Sequence, residues 1–232
     1  MPNSPIFPWQ HQAQRQLEAQ LFAHVEDRAF PCVGAKAALA RGTLKVLACD
    51  RIDSAWDDVR IHDALLALAQ EYKQDKQMFR SFAVVFEGPT DLDERAFEAA
   101  LWDRVQSLSD KDVWRGQEYD DRVSADPANP HFSLSFGGEA FFIVGLHPHA
   151  SRPARRFERP ALVFNLHDQF ERLRAENKYE TMREKILTRD EALAGSRNPM
   201  LARHGDASEA RQYSGRAVEP GWTPPFAYRG DA

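Results

Sequence analysis

A long apolar run interrupted only by a pair of glycines is the feature that most constrains how this chain can fold. Residues 132–146 read FSLSFGGEAFFIVGL, and Gly137-Gly138 break the run. Aromatic and β-branched residues at this density favour strands, whereas paired glycines favour a turn or a close backbone approach. The run therefore predicts either one long strand broken at the glycines or a pair of strands, with many of its side chains in the core.

Further strands and helices alternate along the chain. Short apolar runs predict strands at 44–49, 79–87 and 161–165. A helical apolar period predicts helices at 10–26, 168–177 and 179–193, one from Ser54 to about 73 with Trp56 and Val59 on its inner side, and one that begins at Asp91 or Asp93. The polar segment 110–130 predicts a loop.

This alternation of short strands and helices predicts an α+β fold, with a mixed α/β arrangement as the alternative. We expect a single domain over residues 1–232, because 43% of the chain is hydrophobic and its length suits one core. Residues 195–232 lack a sustained period and are expected to be irregular but packed on the domain. The apolar residues that support this packing are Met200, Leu201, Tyr213, Trp222 and Phe226.

The charge and the ends of the chain narrow the function classes. A net charge of −5, spread over 35 acidic and 30 basic residues, offers no basic face for nucleic acid. No apolar run approaches the roughly 20 residues that a membrane span needs, and the start lacks the features of a secretory signal. Cys32 and Cys49 are too few for a disulfide framework. We therefore expect a cytoplasmic protein that acts on small molecules.

The strand that ends at Leu146 predicts a binding site at its exit. Pro148 cannot extend a ladder, so the imidazole of His147 is expected to face a cavity, where it could bind a metal axially. The arginines that follow could hold two carboxylates such as haem propionates. A capped or solvated histidine, a solvated basic turn and a structural role for Glu139 stay open as alternatives. The three arginines are Arg152, Arg155 and Arg156.

Common nucleotide, hydrolase and zinc motifs do not occur in the sequence. Non-haem iron bound through His147, His149 or His167 is a weaker alternative, because the spacing of these residues does not suit adjacent ligands on a regular strand or helix.

A string of motifs resembles the YqcI/YcgG family of bacterial proteins over about residues 30–226. The motifs are FSLSFGGEAFFIVGLHPHASRPARRF, ALVFNLHDQFERLR, GSRNPML and SEARQYSGR. Some members of that family are haem-dependent N-oxygenases, among them the arginine N-hydroxylase of D-cycloserine biosynthesis and an N-oxygenase of the guanitoxin pathway. The resemblance implies haem b as the cofactor, O₂ as a substrate and a nitrogen of an amine or guanidine as the acceptor.

The resemblance also implies roles for individual residues. His147 would be the axial ligand, with Cys32 of the FPC motif as its rival, and Glu139 would pair with a cationic substrate. The arginines after His147 would anchor the propionates. The other candidates around the pocket are Asn165 for the substrate, His167 as a distal catalytic residue and Arg216 for closing over the ligand.

The resulting expectation is a haem-dependent oxygenase that hydroxylates a guanidino or amino nitrogen of an arginine-like metabolite. Because the sequence has no flavin or NAD motif, electrons would come from an external donor. The alternative is a non-catalytic haem-binding sensor or carrier, which would share every residue of the site. The aromatic content is compatible with a homodimer.

Overall fold

A mixed five-stranded sheet is the framework of the computed structural model, which describes residues 8–200 and 206–230. The strands are β1 Leu44–Arg51, β2 Ser81–Gly88, β3 Leu134–Phe136, β4 Glu139–Leu146 and β5 Ala161–Leu166. Their order in the sheet is β1-β2-β5-β4-β3. β1 and β2 are parallel, and the other neighbouring pairs are antiparallel. The predicted α+β class with a mixed sheet is confirmed.

Helices lie on both faces of this sheet. Those in the described residues are α1 Pro8–Glu26, α2 Val33–Ala40, α3 Asp58–Gln74, α4 Glu94–Trp114, α5 His167–Ala175 and α6 Tyr179–Ala194. The start of α4 follows from its sequence, because the Asp93 side chain accepts a hydrogen bond from the Ala96 N–H at 2.8 Å and so caps the helix.

Two predictions about helices are corrected, and one helix was missed. Trp56 and Val59 are 86% and 50% exposed, because α3 begins only at Asp58 and its first turn leaves both side chains in solvent. The helix α4 continues to Trp114, into the segment predicted as loop. The short helix α2 was not predicted, since its small residues carry no clear apolar period.

The paired glycines form a hairpin turn between β3 and β4, which confirms the strand pair. Phe136 lies opposite Glu139 in the register, so Gly137 and Gly138 are the two residues of the loop. Their φ angles are +60° and +73°, as a type I′ turn requires at both central positions. The glycines therefore serve the turn rather than a close approach to a ligand.

The two faces of the sheet carry separate apolar clusters. Phe141 and Ile143 of β4 join a large core with α3, α4 and part of the C-terminal segment. Val144 and Leu146 project to the opposite face and belong with a smaller cluster that includes α1 and α2. We call this second side the cavity face, because its packing is incomplete.

The C-terminal segment packs on the large core, in agreement with its apolar residues. Tyr213 and Phe226 are buried, and the Tyr213 carbonyl accepts a hydrogen bond from the Gly145 N–H at 2.7 Å. A short 3₁₀ turn, Glu209–Gln212, precedes Tyr213. Leu201 lies outside the described residues. Across the described ranges, none of the helices has the length and apolarity that crossing a bilayer requires.

Candidate functional site

A cavity of about 300 Å³ lies between the cavity face of the sheet and the helices α1, α2, α5 and α6. Its walls are mainly apolar side chains, among them Phe142, Val144, Val163, Phe170 and Leu173. Ligand sites commonly combine apolar walls of this kind with a few convergent polar groups. The polar side chains on the wall that matter below are Cys32, Arg155, Asn165, His167 and Glu209.

Cys32 is the N-cap residue of α2, and its thiol lies on the cavity wall. The sulfur accepts a hydrogen bond from the Ala35 N–H at 3.4 Å. Burial raises the pKa of the Cys32 thiol, while the Ala35 and Gly34 amides and the Arg155 guanidinium act in the opposite direction. Donors at a helix N-terminus and a nearby cation are the surroundings that stabilise a thiolate.

Arg155 is the only one of the three clustered arginines that lines the cavity. Its Nη1 donates to the carbonyls of Gly145 at 3.1 Å and Tyr213 at 3.4 Å, and its Nη2 donates to the Gln212 carbonyl at 3.0 Å. It forms no ion pair with a carboxylate in the described part of the chain. Burial lowers its pKa to about 10. A cation held only by carbonyls is suited to receive an anionic group.

Asn165 and His167 lie at the end of β5 and the start of α5. The Asn165 Oδ1 accepts a hydrogen bond from the Ser81 hydroxyl at 2.8 Å. The His167 Nε2 lies 3.1 Å from Glu171 Oε1, and its Nδ1 lies 3.7 Å from Glu209 Oε2. Burial lowers the pKa of His167, which favours the neutral ring.

Glu209 is a cavity residue of the SEARQYSGR motif to which the sequence assigned no role of its own. Its Oε1 accepts hydrogen bonds from the Tyr213 hydroxyl at 2.6 Å and the Ser133 hydroxyl at 2.7 Å. Burial raises the pKa of Glu209 to about 7. The SEARQYSGR motif pointed to this region through Arg216, but only the fold shows which of its side chains reaches the cavity.

His147 lies on the opposite side of the sheet from the cavity. It is 1% exposed, and its ring stacks on Phe97 with 4.3 Å between ring centroids. Its remaining polar contact is a hydrogen bond with the Leu92 backbone, and burial lowers its pKa to about 4. The expectation that this imidazole faces a cavity is therefore wrong, because His147 follows the alternation of Phe141 and Ile143, whose side chains point from β4 into the large core with α4.

Glu139 is also outside the cavity. One of its carboxylate oxygens lies 2.9 Å from Arg122 Nη2, and the same guanidinium nitrogen lies 2.5 Å from Asp120. Glu139 thus has a fixed cationic partner, as in the structural alternative that the sequence left open.

The other predicted arginines are held by local contacts. Arg152 donates twice to Asp190 Oδ2, at 2.9 Å and 2.5 Å, and Arg156 donates to the Ala150 carbonyl at 2.7 Å. Arg216 forms a buried ion pair with Glu98 at 2.8 Å. None of these three side chains lines the cavity.

The structure thus brings four predicted residues to one cavity and leaves five elsewhere. The four are Cys32, Arg155, Asn165 and His167, and the five are Glu139, His147, Arg152, Arg156 and Arg216. Within the described ranges, no three His, Cys, Asp or Glu side chains are grouped so that they could hold a metal ion by themselves. A donor set of one thiol or one imidazole on an apolar wall instead fits a metal that a macrocycle already coordinates.

Comparison with known proteins gives a family and no closer relative. Neither the curated proteins nor the solved structures include a significant match to this chain. The profile of the YqcI/YcgG family, in contrast, matches residues 21–227. That range includes every cavity residue discussed above and most of the chain, so the protein belongs to the YqcI/YcgG family.

Proposed function

We propose that this protein is a haem-dependent oxygenase that uses O₂ to hydroxylate an amino or guanidino nitrogen of a small metabolite. The observation that carries the proposal is the Cys32 thiol, set at the N-terminus of α2 on the wall of an apolar cavity. The motif resemblance to the N-oxygenase members of the family supports the same reaction.

The residues on the cavity wall fit haem in their chemistry. Cys32 would ligate the iron, because its sulfur already has an amide donor and a neighbouring guanidinium to support negative charge. Arg155 would donate a hydrogen bond to a propionate or to the sulfur, since its guanidinium forms no ion pair with a carboxylate of the described residues. The apolar side chains of the wall would pack against the macrocycle.

Bound haem would supply the activation of O₂, and a thiolate ligand favours cleavage of the O–O bond. The protein's own groups would prepare the site for that chemistry. The apolar walls exclude water, which strengthens every polar contact inside the cavity. The His167 Nδ1 and the Glu209 Oε2 lie 3.7 Å apart on the polar part of the wall, where either group could exchange a proton with a bound ligand.

A haem titration tests the cofactor. Purified protein, freed of haem and titrated with haemin, should develop a Soret band that saturates at one haem per chain. The absence of a saturating band would rule out the proposal at its first step.

Turnover tests the reaction separately. With a chemical reductant, O₂ and a panel of amines and guanidines, the haem-loaded protein should consume O₂ and yield a product that is heavier by one oxygen atom. Haem binding without such a product from any member of the panel would favour the alternative of a non-catalytic haem-binding protein.

A further inference from the structure

The carboxylate of Glu209 is the one acidic group on the cavity wall that forms no ion pair with an arginine or lysine of the described residues. Asp190, the other carboxylate on that wall, is bound by the Arg152 guanidinium at 2.9 Å and 2.5 Å. Glu209 is only 9% exposed, and its hydrogen-bond donors are the neutral hydroxyls of Tyr213 and Ser133. Both hydroxyls donate to Oε1.

The second carboxylate oxygen of Glu209, Oε2, accepts no hydrogen bond from the described residues. Among the described residues Oε2 has one polar neighbour, the Nδ1 of His167 at 3.7 Å, which is beyond the length of a normal hydrogen bond. Tyr213 and Ser133 therefore fix the carboxylate through one oxygen and leave the other directed at whatever occupies the space beside His167.

The charged groups around Glu209 do not neutralise it. The charge of Arg174 on α5 favours the ionised form of Glu209, but the Arg174 guanidinium is hydrogen-bonded to Glu171, whose own charge acts in the opposite direction. Tyr119, from the loop before β3, also interacts electrostatically with Glu209 and carries no positive charge. A buried carboxylate without a cation is unfavourable, and burial accordingly raises its pKa to about 7.

An uncompensated carboxylate in an apolar cavity selects a particular kind of ligand. A molecule with an apolar body and one cationic nitrogen would fill the apolar walls and complete the ion pair, whereas a neutral molecule of the same shape would leave the carboxylate unpaired. The proposed propionate partner, Arg155, interacts with Gln212 and Tyr213 carbonyls and not with Glu209, so the two charges serve separate groups.

We infer that Glu209 is the specificity-determining residue of the cavity, and that its Oε2 pairs with the cationic nitrogen of a small amphipathic ligand. The inference deepens the proposed function, on which it rests for the reaction that follows binding. It assigns to Glu209 the role that the sequence suggested for Glu139, because Glu139 lies outside the cavity and is paired with Arg122.

Binding of two probes of equal shape tests the inference. The probes are n-butylguanidinium and its neutral counterpart n-butylurea, and calorimetry gives the affinity of each for the protein as purified with its haem. Wild-type protein should prefer the cation by roughly tenfold to a hundredfold, the range expected for a hydrogen bond to a charged group. Glu209→Gln should abolish this preference and change the affinity for the urea by less than about threefold.

A second carboxamide variant gives the matched control. Glu139→Gln removes a buried carboxylate that does not line the cavity, and it should keep the preference for the cation. If wild type shows no preference, or if Glu209→Gln retains it, the inference is overturned. Should Glu209→Gln fail to fold, Glu209→Asp takes its place: the shorter side chain should lower the preference severalfold, and an unchanged preference would count against the inference.

The Soret band of each sample separates this result from the proposed function. A preference for the cation that disappears in Glu209→Gln, in protein that binds no haem, would support the inference and reject the cofactor. A normal haem band without any preference would reject the inference and leave the cofactor standing.

Discussion

An ionisable side chain can belong to the packed core or line a cavity, and His147 and Glu209 are examples of the two cases. His147 stacks on Phe97 and is shut off from water, whereas Glu209 borders open space beside His167. The sequence could locate a histidine at the end of β4, but not the side of the sheet that it faces. His147 continues the alternation of Phe141 and Ile143, and the local sequence does not tell which of the two sets of alternating residues faces α4.

The buried His147 should make folding sensitive to acid. The pKa of His147 is lowered from 6.5 to about 4. Between these two pH values the imidazole is therefore protonated in the unfolded chain and neutral in the folded chain. Stability present above pH 6.5 should fall by up to about 3 kcal/mol as the pH drops to about 4. Urea unfolding of wild type and His147→Gln across this window checks this: the variant should lose that part of the pH dependence. Identical slopes in the two proteins would contradict it.

Glu209 should act in the opposite pH direction. Its pKa is raised from 4.5 to about 7, so the folded state holds the proton more tightly than the unfolded chain. The associated stability is complete below pH 4.5 and is lost as the pH rises through 7, by about 3 kcal/mol. In thermal unfolding, the stability of Glu209→Gln relative to wild type should therefore increase as the pH is raised from about 5 to 8. A constant difference between the two proteins over that range would exclude a raised pKa.

At the scale of elements, the hairpin between β3 and β4 was the most predictable part. Paired glycines between two apolar runs specify a two-residue turn, and the register confirms it. The helices α1, α5 and α6 and the strands β1, β2 and β5 also follow from local periods. The start of α3 did not, because Ser54 bonds to the amide of Trp56 instead of capping a helix.

A substitution in the hairpin tests the turn. Gly137 has a φ of +60°, and an added Cβ would lie 3.0 Å from Leu66 and 3.1 Å from Ala69. Gly137→Ala should therefore add a steric cost to the roughly 1–2 kcal/mol of a left-handed alanine. The control is Gly42→Ala, which has a φ of +66° and open space around the added carbon. Denaturant unfolding should show the larger loss for Gly137→Ala; equal losses would mean that the contact with α3 is not as described.

At the scale of the whole molecule, the cavity depends on pairings that no local pattern reveals. Cys32 comes from the segment before α2, Arg155 from the turn after β4, His167 from the end of β5 and Glu209 from the C-terminal segment. The sequence named three of these as candidates without showing that they meet. It also ranked His147 above Cys32, because the Arg155 guanidinium near the thiol becomes evident only in three dimensions.

The division of the sheet into a packed face and a cavity face explains that arrangement. Phe141 and Ile143 fill the first face together with α4, while Val144 and Leu146 meet helices that leave space between them. Successive side chains of a strand point to opposite faces of the sheet, so the even and odd residues of β4 lie in different environments. The cavity accordingly lies on the face with the smaller core, and the groups proposed to bind haem and substrate project from the elements that surround it.

The central claim is that Cys32 holds haem in this cavity, and the spectrum of the ferrous CO complex tests it most directly. Wild-type protein loaded with haem, reduced and exposed to CO should show the red-shifted Soret band that marks a thiolate ligand, and His147→Gln should show the same band. Cys32→Ala should lose it, either with the haem or by reverting to the shorter-wavelength band of other ligands. A Cys32→Ala spectrum identical to that of wild type, or a change confined to His147→Gln, would contradict the account.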